Sequence, residues 1–294
     1  MKYDQVSIIG IGLIGGSIGL DLLNKGFAKN VVGWGRNPDH LRAAVEKGSC
    51  LSATTSMKEA LEGAEIVVLC TPVEVIVEQL YEIESLIEDR TLVMDVGSVK
   101  KIIVNSAEKA NLIGTGKKEF VGVHPMAGSE KTGAGNAREG LFKGSPCIIT
   151  PHEKNTRKAI DITVKFWENL GAEVVKMTPE VHDLTVGFVS HLPHIVSSVL
   201  SKVCGSSLES PQIISRTAGA SFTELTRIAG SSPQLWTQIY LQNKKQVLKA
   251  VDGFIDSLNQ FRDILQNEDR EKIEHFIREG VRYREESQKK ENKK

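Results

Sequence analysis

The chain has little cysteine, and the cysteines that it has lie far apart. Cys50, Cys70, Cys147 and Cys204 are the four in 294 residues, and no two of them form a C-x-x-C pair. The pattern therefore indicates neither a zinc ribbon nor a disulfide framework. Cys70 and Cys147 lie in apolar runs, and we expect both to be small buried hydrophobic residues.

Net charge and long apolar runs are absent as well. The 37 lysines and arginines balance the 37 aspartates and glutamates, so the charge gives no indication of nucleic-acid binding. No apolar run reaches ~18 residues, and no signal-like segment opens the chain. We therefore expect a cytoplasmic protein that binds neither nucleic acid nor membrane. The basic "KKENKK" at the end is predicted to belong to a solvated tail that starts at about residue 286.

Short apolar runs alternate with helical patterns in the first half of the chain. Most of these runs are apolar throughout, as expected for strands that are buried on both faces of a parallel sheet. The alternation predicts right-handed crossovers and an α/β fold with a doubly wound, mainly parallel sheet. The predicted strands are Val6–Ile9, Val31–Trp34, Ile66–Cys70, Thr91–Val96, Phe120–His124, Pro146–Thr150 and Ala172–Met177.

A glycine-rich segment, "SIIGIGLIGGSIGLDL", contains the first of these strands and opens a helix. Its Gly10, Gly12 and Gly15 have the G-x-G-x-x-G spacing of a dinucleotide fingerprint, which predicts a Rossmann-type domain. Gly10 permits a tight turn, Gly12 lets the backbone approach a pyrophosphate, and Gly15 lets helix and strand pack closely. The predicted cofactor-binding residues are Gly10, Gly12, Leu13, Ile14, Gly15, Arg36, Thr71 and Pro72.

The end of the second predicted strand indicates which dinucleotide binds. An NAD site has an acidic residue here, which accepts hydrogen bonds from the ribose 2′-hydroxyl. Gly35 occupies that place, Arg36 follows it, and Asp39 is expected to belong to the next turn. We therefore favour NADP, whose 2′-phosphate Arg36 could bind. NAD remains possible, and a solvated Arg36 is the alternative for that residue.

The pattern changes after Met177, where helical periodicity continues to about residue 286 with no predicted strand. Thr178 is predicted to cap a helix whose first residue is Pro179. The helical half has only ~115 residues with which to cover its apolar stripes, so we expect a homodimer. One such stripe consists of Phe254, Leu258, Phe261 and Leu265. The predicted domains are 1–177, which binds the dinucleotide, and 178–294, an all-helical substrate and dimerisation domain.

Two polar residues follow strands at the carboxyl edge of the predicted sheet, where open α/β folds bind ligands. Ser98 could contact a ligand, cap the next helix, or do both. His124 ends a strand, and Pro125 then turns the chain away from the sheet. A histidine in this place can accept a proton near neutral pH, and a purely structural histidine is the alternative.

The helical half contributes three further candidates. His191 and His194 flank Pro193 in "SHLPH", and the proline is predicted to kink the helix. One close histidine pair lacks the ligand count of a zinc site, so no metal is predicted. Arg227 could bind a carboxylate or could pair with Glu224.

Five segments, in their order along the chain, resemble the prephenate/arogenate dehydrogenase family of tyrosine biosynthesis. They are "GIGLIGGSIGLDL", "DVGSVK", "GVHPMAGSEKTG", "VSHLPH" and "TRIAGSSPQLW". The resemblance implies that a hydride passes from ring C4 of prephenate or arogenate to NAD(P), while carbon dioxide leaves C1. It also implies a dimer built by the helical domain and a substrate pocket between the domains. We expect no fused regulatory or chorismate mutase domain.

The resemblance also assigns roles to residues at matching motif positions. His124 would accept the hydrogen bond and then the proton of the substrate 4-hydroxyl, and Ser98 would orient that hydroxyl. His194 and Arg227 would bind the substrate from the helical domain. Glu130 would lie in a loop on the substrate side.

Two other functions fit parts of the sequence. A 3-hydroxyacid dehydrogenase also has a Rossmann domain followed by helices, and Lys244 or Lys245 would be its base. The histidine loop at His124 argues against this alternative. A non-catalytic NAD(P)-binding sensor would not need the complete set of site residues. The chain departs from the family pattern at Glu224 and at residues 219–221, which are "GAS".

Overall fold

The computed structural model describes residues 2–128, 133–207 and 211–288. The strands are β1 (Tyr3–Ile9), β2 (Ala28–Trp34), β3 (Ser52–Thr54), β4 (Ile66–Leu69), β5 (Leu92–Asp95), β6 (Glu119–Pro125), β7 (Pro146–Thr150) and β8 (Glu173–Lys176). The α-helices among them are α1 (Leu13–Asn24), α2 (Pro38–Glu46), α3 (Met57–Leu61), α4 (Val73–Glu84), α5 (Lys101–Lys109) and α6 (Arg157–Leu170). Those that follow are α7 (Pro179–Val186), α8 (Leu192–Ser207), α9 (Pro211–Thr217), α10 (Ala220–Thr226), α11 (Pro233–Gln242), α12 (Lys244–Gln266) and α13 (Arg270–Gln288).

The strands form one sheet in the order β3-β2-β1-β4-β5-β6-β7-β8. The first six positions have the strand order of a doubly wound dinucleotide-binding fold. Neighbouring strands are parallel except β6 and β7, which are antiparallel. The predicted doubly wound, mainly parallel sheet is confirmed. Sequence analysis missed β3 because its three residues are exposed or half-buried and form no apolar run.

Alternate residues of the central strands pack into two separate apolar clusters. Ile8 and Val68 belong to one cluster, whereas Ile9 and Val67 belong to the other, and all four are fully buried. Successive side chains of a strand point to opposite faces of the sheet. Each central strand is therefore buried on both faces, which explains why its sequence is apolar at nearly every position.

After β8 the described chain contains helices and no strand. Thr178 caps α7 as predicted: its Oγ1 accepts the N–H of Val181 at 3.3 Å, and Pro179 is the first helical residue. A π-helical segment, Gly187–His191, lies between α7 and α8. Pro193 follows it within α8. Because proline has no N–H, it removes a hydrogen bond of the helical ladder directly after this irregular segment.

One helical stretch, Pro179–Ser207, is long and apolar enough to cross a membrane on length and composition alone. A core helix of a folded domain passes the same test. His182 and Asp183 in this stretch are buried and hydrogen-bond to residues of β6 and α5. These contacts fit a helix that packs inside a protein.

Contacts along the chain group residues 1–244 into one compact unit and residues 245–294 into another. In the second unit the rings of Phe261 and Phe276 lie 5.2 Å apart. Several apolar side chains of this unit are exposed, among them Leu258, Leu265, Ile277 and Val281. The division at residue 244 differs from the predicted domain boundary after residue 177, and that boundary stays a prediction.

Candidate active site

The glycine-rich segment forms the turn between β1 and α1. Gly10 has a φ of +100°, a conformation that favours glycine. A Cβ atom on Gly15 would lie 2.4 Å from the carbonyl oxygen of Gly10, so only glycine permits this close packing. A Cβ atom on Gly12 would meet nothing within 4 Å. The space beside the N-terminus of α1 is thus open at the place where a pyrophosphate is expected.

A first cavity, of about 430 Å³, adjoins this turn. Its lining includes Gly12, Arg36 and Thr71, and none of the described residues that line it is acidic. Asp39 lies in the first turn of α2, where it pairs with Arg42 at 3.4 Å on the protein surface. Among its described residues, the cavity therefore offers an arginine and no carboxylate to a bound ligand.

A second cavity, of about 420 Å³, shares part of its wall with the first. Five residues line both cavities: Gly12, Cys70, Thr71, Pro72 and Gly133. Leu13 and Ile14 of α1 line the second cavity, together with Ser98 and His124. The structure thus places the predicted cofactor-binding residues, except the buried Gly15, and the two predicted catalytic residues in the walls of two adjoining cavities.

A third cavity, also of about 420 Å³, adjoins the second one. Ser98 and His124 line it as well as the second cavity, and Arg227, His191 and Trp236 complete much of its wall. A ligand in the second cavity and a ligand in the third would therefore meet at Ser98 and His124.

His194 lies elsewhere, in a neighbouring cavity of about 330 Å³. Its ring stacks on Trp236 with centroids 3.7 Å apart, and its Nδ1 hydrogen-bonds the hydroxyl of Tyr240. Trp236 lines both cavities. The structure does not bring His194 into the cavity of His124, and its contact with substrate stays a prediction. Glu130 lies outside the described residues, and so does its predicted role.

Ser98 does not cap the helix that follows it. The N-cap of α5 is Lys100, and the capping acceptor comes from α7. Asp183 accepts the N–H of Lys100 at 2.7 Å and that of Lys101 at 3.1 Å. The capping alternative for Ser98 is therefore wrong, because a carboxylate from a distant segment performs this task.

His124 is buried at the end of β6 and contacts a second buried histidine. Its Nδ1 lies 2.8 Å from Nε2 of His182, and Nδ1 of His182 lies 2.8 Å from Oδ1 of Asp183. Burial, and after it the nearby His182 and Lys100, lower the pKa of His124 well below 6.5. The imidazole is therefore neutral at physiological pH and can accept a proton.

Lys100 and Asp95 hold the backbone next to His124. The ammonium of Lys100 pairs with the carboxylate of Asp95 and donates to the carbonyl oxygen of Val123 at 2.8 Å. Asp95 accepts the N–H of Val123 at 3.0 Å and that of Gly97 at 2.8 Å. The buried pair thus links the end of β5 to both backbone groups of the residue before His124.

The hydrogen bonds of His191 define which of its two ring nitrogens carries the proton. The Nδ2 of Asn243 donates to the carbonyl oxygen of Asp183 at 2.8 Å and lies 3.2 Å from Nδ1 of His191. An amide nitrogen only donates, so Nδ1 of His191 is the acceptor and its proton lies on Nε2. Burial, mainly, lowers the pKa of His191 to about 4. Its Nε2 has no hydrogen-bond partner among the described residues. His191 is therefore a neutral donor in the wall of the third cavity.

Sequence analysis missed four buried residues: Asp95, Lys100, His182 and Asp183. A signal for two of them was present. In α7 the buried positions are Pro179, His182, Asp183 and Val186, which is the spacing of a helix's buried face. Two polar residues on such a face need partners in the core. Asp95 and Lys100 do not lie on such a helical face, so their burial had no comparable signal in the sequence.

No group of three or more histidine, cysteine, aspartate or glutamate residues could hold a metal ion within the part of the chain that the structure describes. All four cysteines are free. Cys147 is fully buried as predicted. Cys70 is only half-buried and lines the first two cavities, so the predicted burial is wrong for it.

Comparisons with known proteins agree on one family. The profile described as "Prephenate dehydrogenase, nucleotide-binding domain" matches residues 18–176. The profile described as "Prephenate dehydrogenase, dimerization domain" matches residues 178–279. The prephenate dehydrogenase of Bacillus subtilis (strain 168) is 33% identical over 282 residues, which cover 96% of this chain and 75% of the relative.

Two solved structures share the fold over nearly the whole chain. The prephenate dehydrogenase from A. aeolicus, in complex with hydroxyphenyl propionate and NAD+, has a TM-score of 0.88 at 33% identity, covering 97% of this chain and 99% of that one. The Synechocystis arogenate dehydrogenase has a TM-score of 0.81 at 28% identity, covering 96% of this chain and 99% of that one.

Proposed function

Because the chain belongs to the prephenate dehydrogenase family, we propose that it oxidises and decarboxylates prephenate or arogenate in tyrosine biosynthesis. The product is 4-hydroxyphenylpyruvate or tyrosine, respectively. One observation carries the proposal: Ser98 and His124 line both the cavity beside the glycine-rich turn and the cavity that contains Arg227. A base is thus shared between a dinucleotide site and a site with a cation for a carboxylate.

The residues of the first two cavities fit a nicotinamide dinucleotide. The open space at Gly12 and the free N–H groups at the start of α1 suit a pyrophosphate. When bound, the dinucleotide supplies a hydride acceptor. Arg36 lines a cavity whose described residues include no carboxylate, and this supports NADP as the preferred form, because a guanidinium can bind a phosphate with two hydrogen bonds. NAD is the alternative, and the A. aeolicus relative was crystallised with NAD+.

His124 is the proposed hydrogen-bond acceptor and base. Its lowered pKa keeps the imidazole neutral, so it can accept the hydrogen bond of the 4-hydroxyl. As the hydride leaves C4, positive charge grows on this hydroxyl, and its proton moves to His124. The electron pair of the bond between C1 and its carboxylate enters the ring, and carbon dioxide leaves. His124 then returns its proton to the phenolate oxygen, so the product has a hydroxyl and the base is neutral again. Aromatisation makes the step effectively irreversible.

Five other residues orient or contact the substrate in this proposal. Ser98 hydrogen-bonds the 4-hydroxyl beside His124, and Arg227 pairs with a carboxylate in the third cavity. His191 adds a neutral N–H donor to the same wall. His194 contacts the substrate from the adjacent side of Trp236. The role of Glu130, in the loop on the substrate side, is carried over from the family motif alone.

The two alternative functions are less well supported. A 3-hydroxyacid dehydrogenase would use a lysine base, and no lysine occurs among the described residues that line the three cavities. A sensor without catalysis would not need a neutral buried histidine at the meeting point of two cavities. The arrangement around His124 favours an enzyme that removes a proton from a hydroxyl.

We also propose that the protein is a homodimer joined through its helical half. Apolar side chains that a soluble monomer would cover are exposed here, for example Val189, Leu225, Leu241, Leu258 and Tyr283. The profile that matches residues 178–279 describes a dimerization domain.

The four free cysteines fit the reducing cytoplasm that we expect.

A steady-state matrix tests the function. Prephenate and arogenate are each assayed with NAD and with NADP, and a 3-hydroxyacid serves as a third substrate with both cofactors. Turnover of prephenate or arogenate, with release of carbon dioxide, is the expected result. Turnover of the 3-hydroxyacid alone, or of no substrate, would contradict the proposal.

A further inference from the structure

Two buried residues lie directly behind His124 and have no part in the steps above. Nδ1 of His124 is 2.8 Å from Nε2 of His182, and Nδ1 of His182 is 2.8 Å from Oδ1 of Asp183. The side chains of His182 and Asp183 are 0% and 7% exposed, so water does not compete for these bonds. The three residues form a row of hydrogen bonds that ends at the third cavity.

The direction of the hydrogen bonds is set at Asp183. Its Oδ1 accepts the N–H of Lys100 at 2.7 Å, and its Oδ2 accepts that of Lys101 at 3.1 Å. A backbone N–H only donates, so both oxygens of Asp183 are acceptors, and the positive end of α5 favours its negative charge. The Nδ1 of His182 must therefore carry the proton that is shared with Oδ1.

We propose that His182 and Asp183 are positioning residues that hold His124 as its Nδ1–H tautomer. Because His182 carries its proton on Nδ1, its Nε2 has a lone pair and accepts the N–H of His124. A neutral imidazole carries one proton, so Nε2 of His124 keeps its lone pair for the substrate. This inference rests on the proposed function for its purpose, but the tautomer is a property of the free protein.

The charges around the row agree with two neutral histidines. His124 faces His182 on α7, His191 on the π-helical segment and Lys100 before α5, and each of them disfavours a second proton on it. Burial also lowers the pKa of His182, although Asp183 opposes this effect. Each ring therefore holds one proton, and the chain of donors and acceptors has only one consistent order.

The tautomer decides whether His124 can act. In water the Nε2–H form of a histidine side chain is the more populated one. A His124 in that form would direct an N–H at the substrate hydroxyl and could not accept its proton. In Ser-His-Asp triads the carboxylate has the same task, and losing it lowers kcat by about 10⁴ through the wrong tautomer.

Substitutions of His182 test the role. His182→Phe removes both hydrogen bonds with little change in size, whereas His182→Gln restores an acceptor oxygen and a donor amide. We expect kcat of His182→Phe to fall by roughly 10- to 100-fold, the usual effect of losing an outer hydrogen-bond partner. KM should change by less than about twofold, because the substrate contacts remain. His182→Gln should recover most of kcat, and the exposed His275→Gln is the matched control.

Nitrogen-15 NMR of the full-length free protein, labelled at histidine, reports the tautomer without any turnover. The signals of His124 are assigned by their loss in His124→Asn. We expect protonation on Nδ1 in the wild type and a shift toward Nε2–H in His182→Phe. A wild-type His124 protonated on Nε2 would overturn the inference, as would His182→Phe with unchanged kcat and tautomer. If His182→Phe does not fold, the wild-type spectrum decides. An inactive protein that has the Nδ1–H form would instead contradict only the proposed function.

Discussion

Lys100 and Asp95 form an ion pair with no solvent-exposed surface. Both residues also bind the backbone of Val123, the residue before His124. A charge in such a place is tolerated only while its partner and its hydrogen bonds are present. The stability of the sheet and the placement of His124 therefore depend on the same contacts of this pair.

Lys100→Met should destabilise the protein strongly. It keeps the length of the side chain but leaves the Asp95 carboxylate buried without its partner, which costs about 3–5 kcal/mol. In thermal unfolding we expect Tm to fall by roughly 10 °C. The control is Lys101→Met, which breaks only an exposed contact with Glu180 and should lower Tm by less than about 3 °C. If both substitutions lower Tm equally, the buried ion pair contributes no more to stability than the exposed contact of Lys101.

His124→Asn should lower kcat by roughly 10²–10⁴, the range for loss of a general base. Asparagine keeps a similar shape but cannot take the proton, so KM should change little. Steady-state kinetics with prephenate measure both constants. His275→Asn, at an exposed position of α13, should have wild-type kinetics. Near-wild-type kcat in His124→Asn would leave His124 with a structural role only.

The pH profile of kcat/KM should reflect the lowered pKa of His124. The active form is neutral, and burial keeps the pKa of the free enzyme well below 6.5. As pH falls from 8 through 6.5, kcat/KM should therefore stay level, and it should decrease only at the lower pH where His124 gains its proton. An acidic limb at or above pH 6.5 that disappears in His124→Asn would contradict this expectation.

Arg227→Ala should act mainly on KM, because a contact with a carboxylate exists in the ground state and the transition state alike. A hydrogen bond between charged groups contributes about 1.5–3 kcal/mol, so KM should rise by roughly 10- to 100-fold. Arg157→Ala is the control, because the Arg157 side chain is 94% exposed and lies in α6, outside the third cavity. An unchanged KM for Arg227→Ala would move Arg227 out of the substrate site.

Exchange of the cofactor preference should need two substitutions at the end of β2. The wild type should have the higher kcat/KM with NADP, and Gly35→Asp combined with Arg36→Ser should favour NAD. A Cβ on Gly35 would lie 3.1 Å from Cδ2 of the buried Leu41, so this side chain must shift slightly to admit the new residue. Arg42→Ser, on the exposed face of α2, is the control. A wild type that clearly prefers NAD would refute the role given to Arg36.

Light scattering should give a mass of about 64 kDa at micromolar concentration, twice the 32.2 kDa of one chain. The physical reason is the apolar surface of the helical half, which one chain leaves exposed. A charged substitution there, Leu258→Glu, should weaken the dimer, whereas Lys58→Glu, at an exposed position of α3, should not. A mass of one chain for the wild type would contradict the homodimer.

The sequence was sufficient for the sheet and for the fingerprint because both depend on local patterns. Central strands need apolar residues at every position, and Gly10 and Gly15 are required by a turn and a close approach within a few residues. The short β3 had no such pattern. These signals are read from neighbours in the chain, so they do not require knowledge of the tertiary packing.

The surroundings of His124 could not be predicted in the same way. The carboxylate that caps α5 comes from Asp183, 82 residues after Lys101. The partner of His124 is His182, which a local reading places in an ordinary first turn of a helix. The packing of α7 beside α5 and β7 decides which polar residues are buried together. This packing is only weakly indicated by the sequence pattern.

The two family profiles meet at residue 177, yet hydrogen bonds from His182 and Asp183 cross this point to His124 and to the start of α5. A hybrid enzyme that joins the nucleotide-binding half of one relative to the helical half of another must therefore keep these partners matched. Recombination at this junction preserves both profile matches but can separate His124 from the groups that we propose to set its tautomer. In this chain the hydrogen bonds of His182 and Asp183 therefore constrain which two halves can be combined.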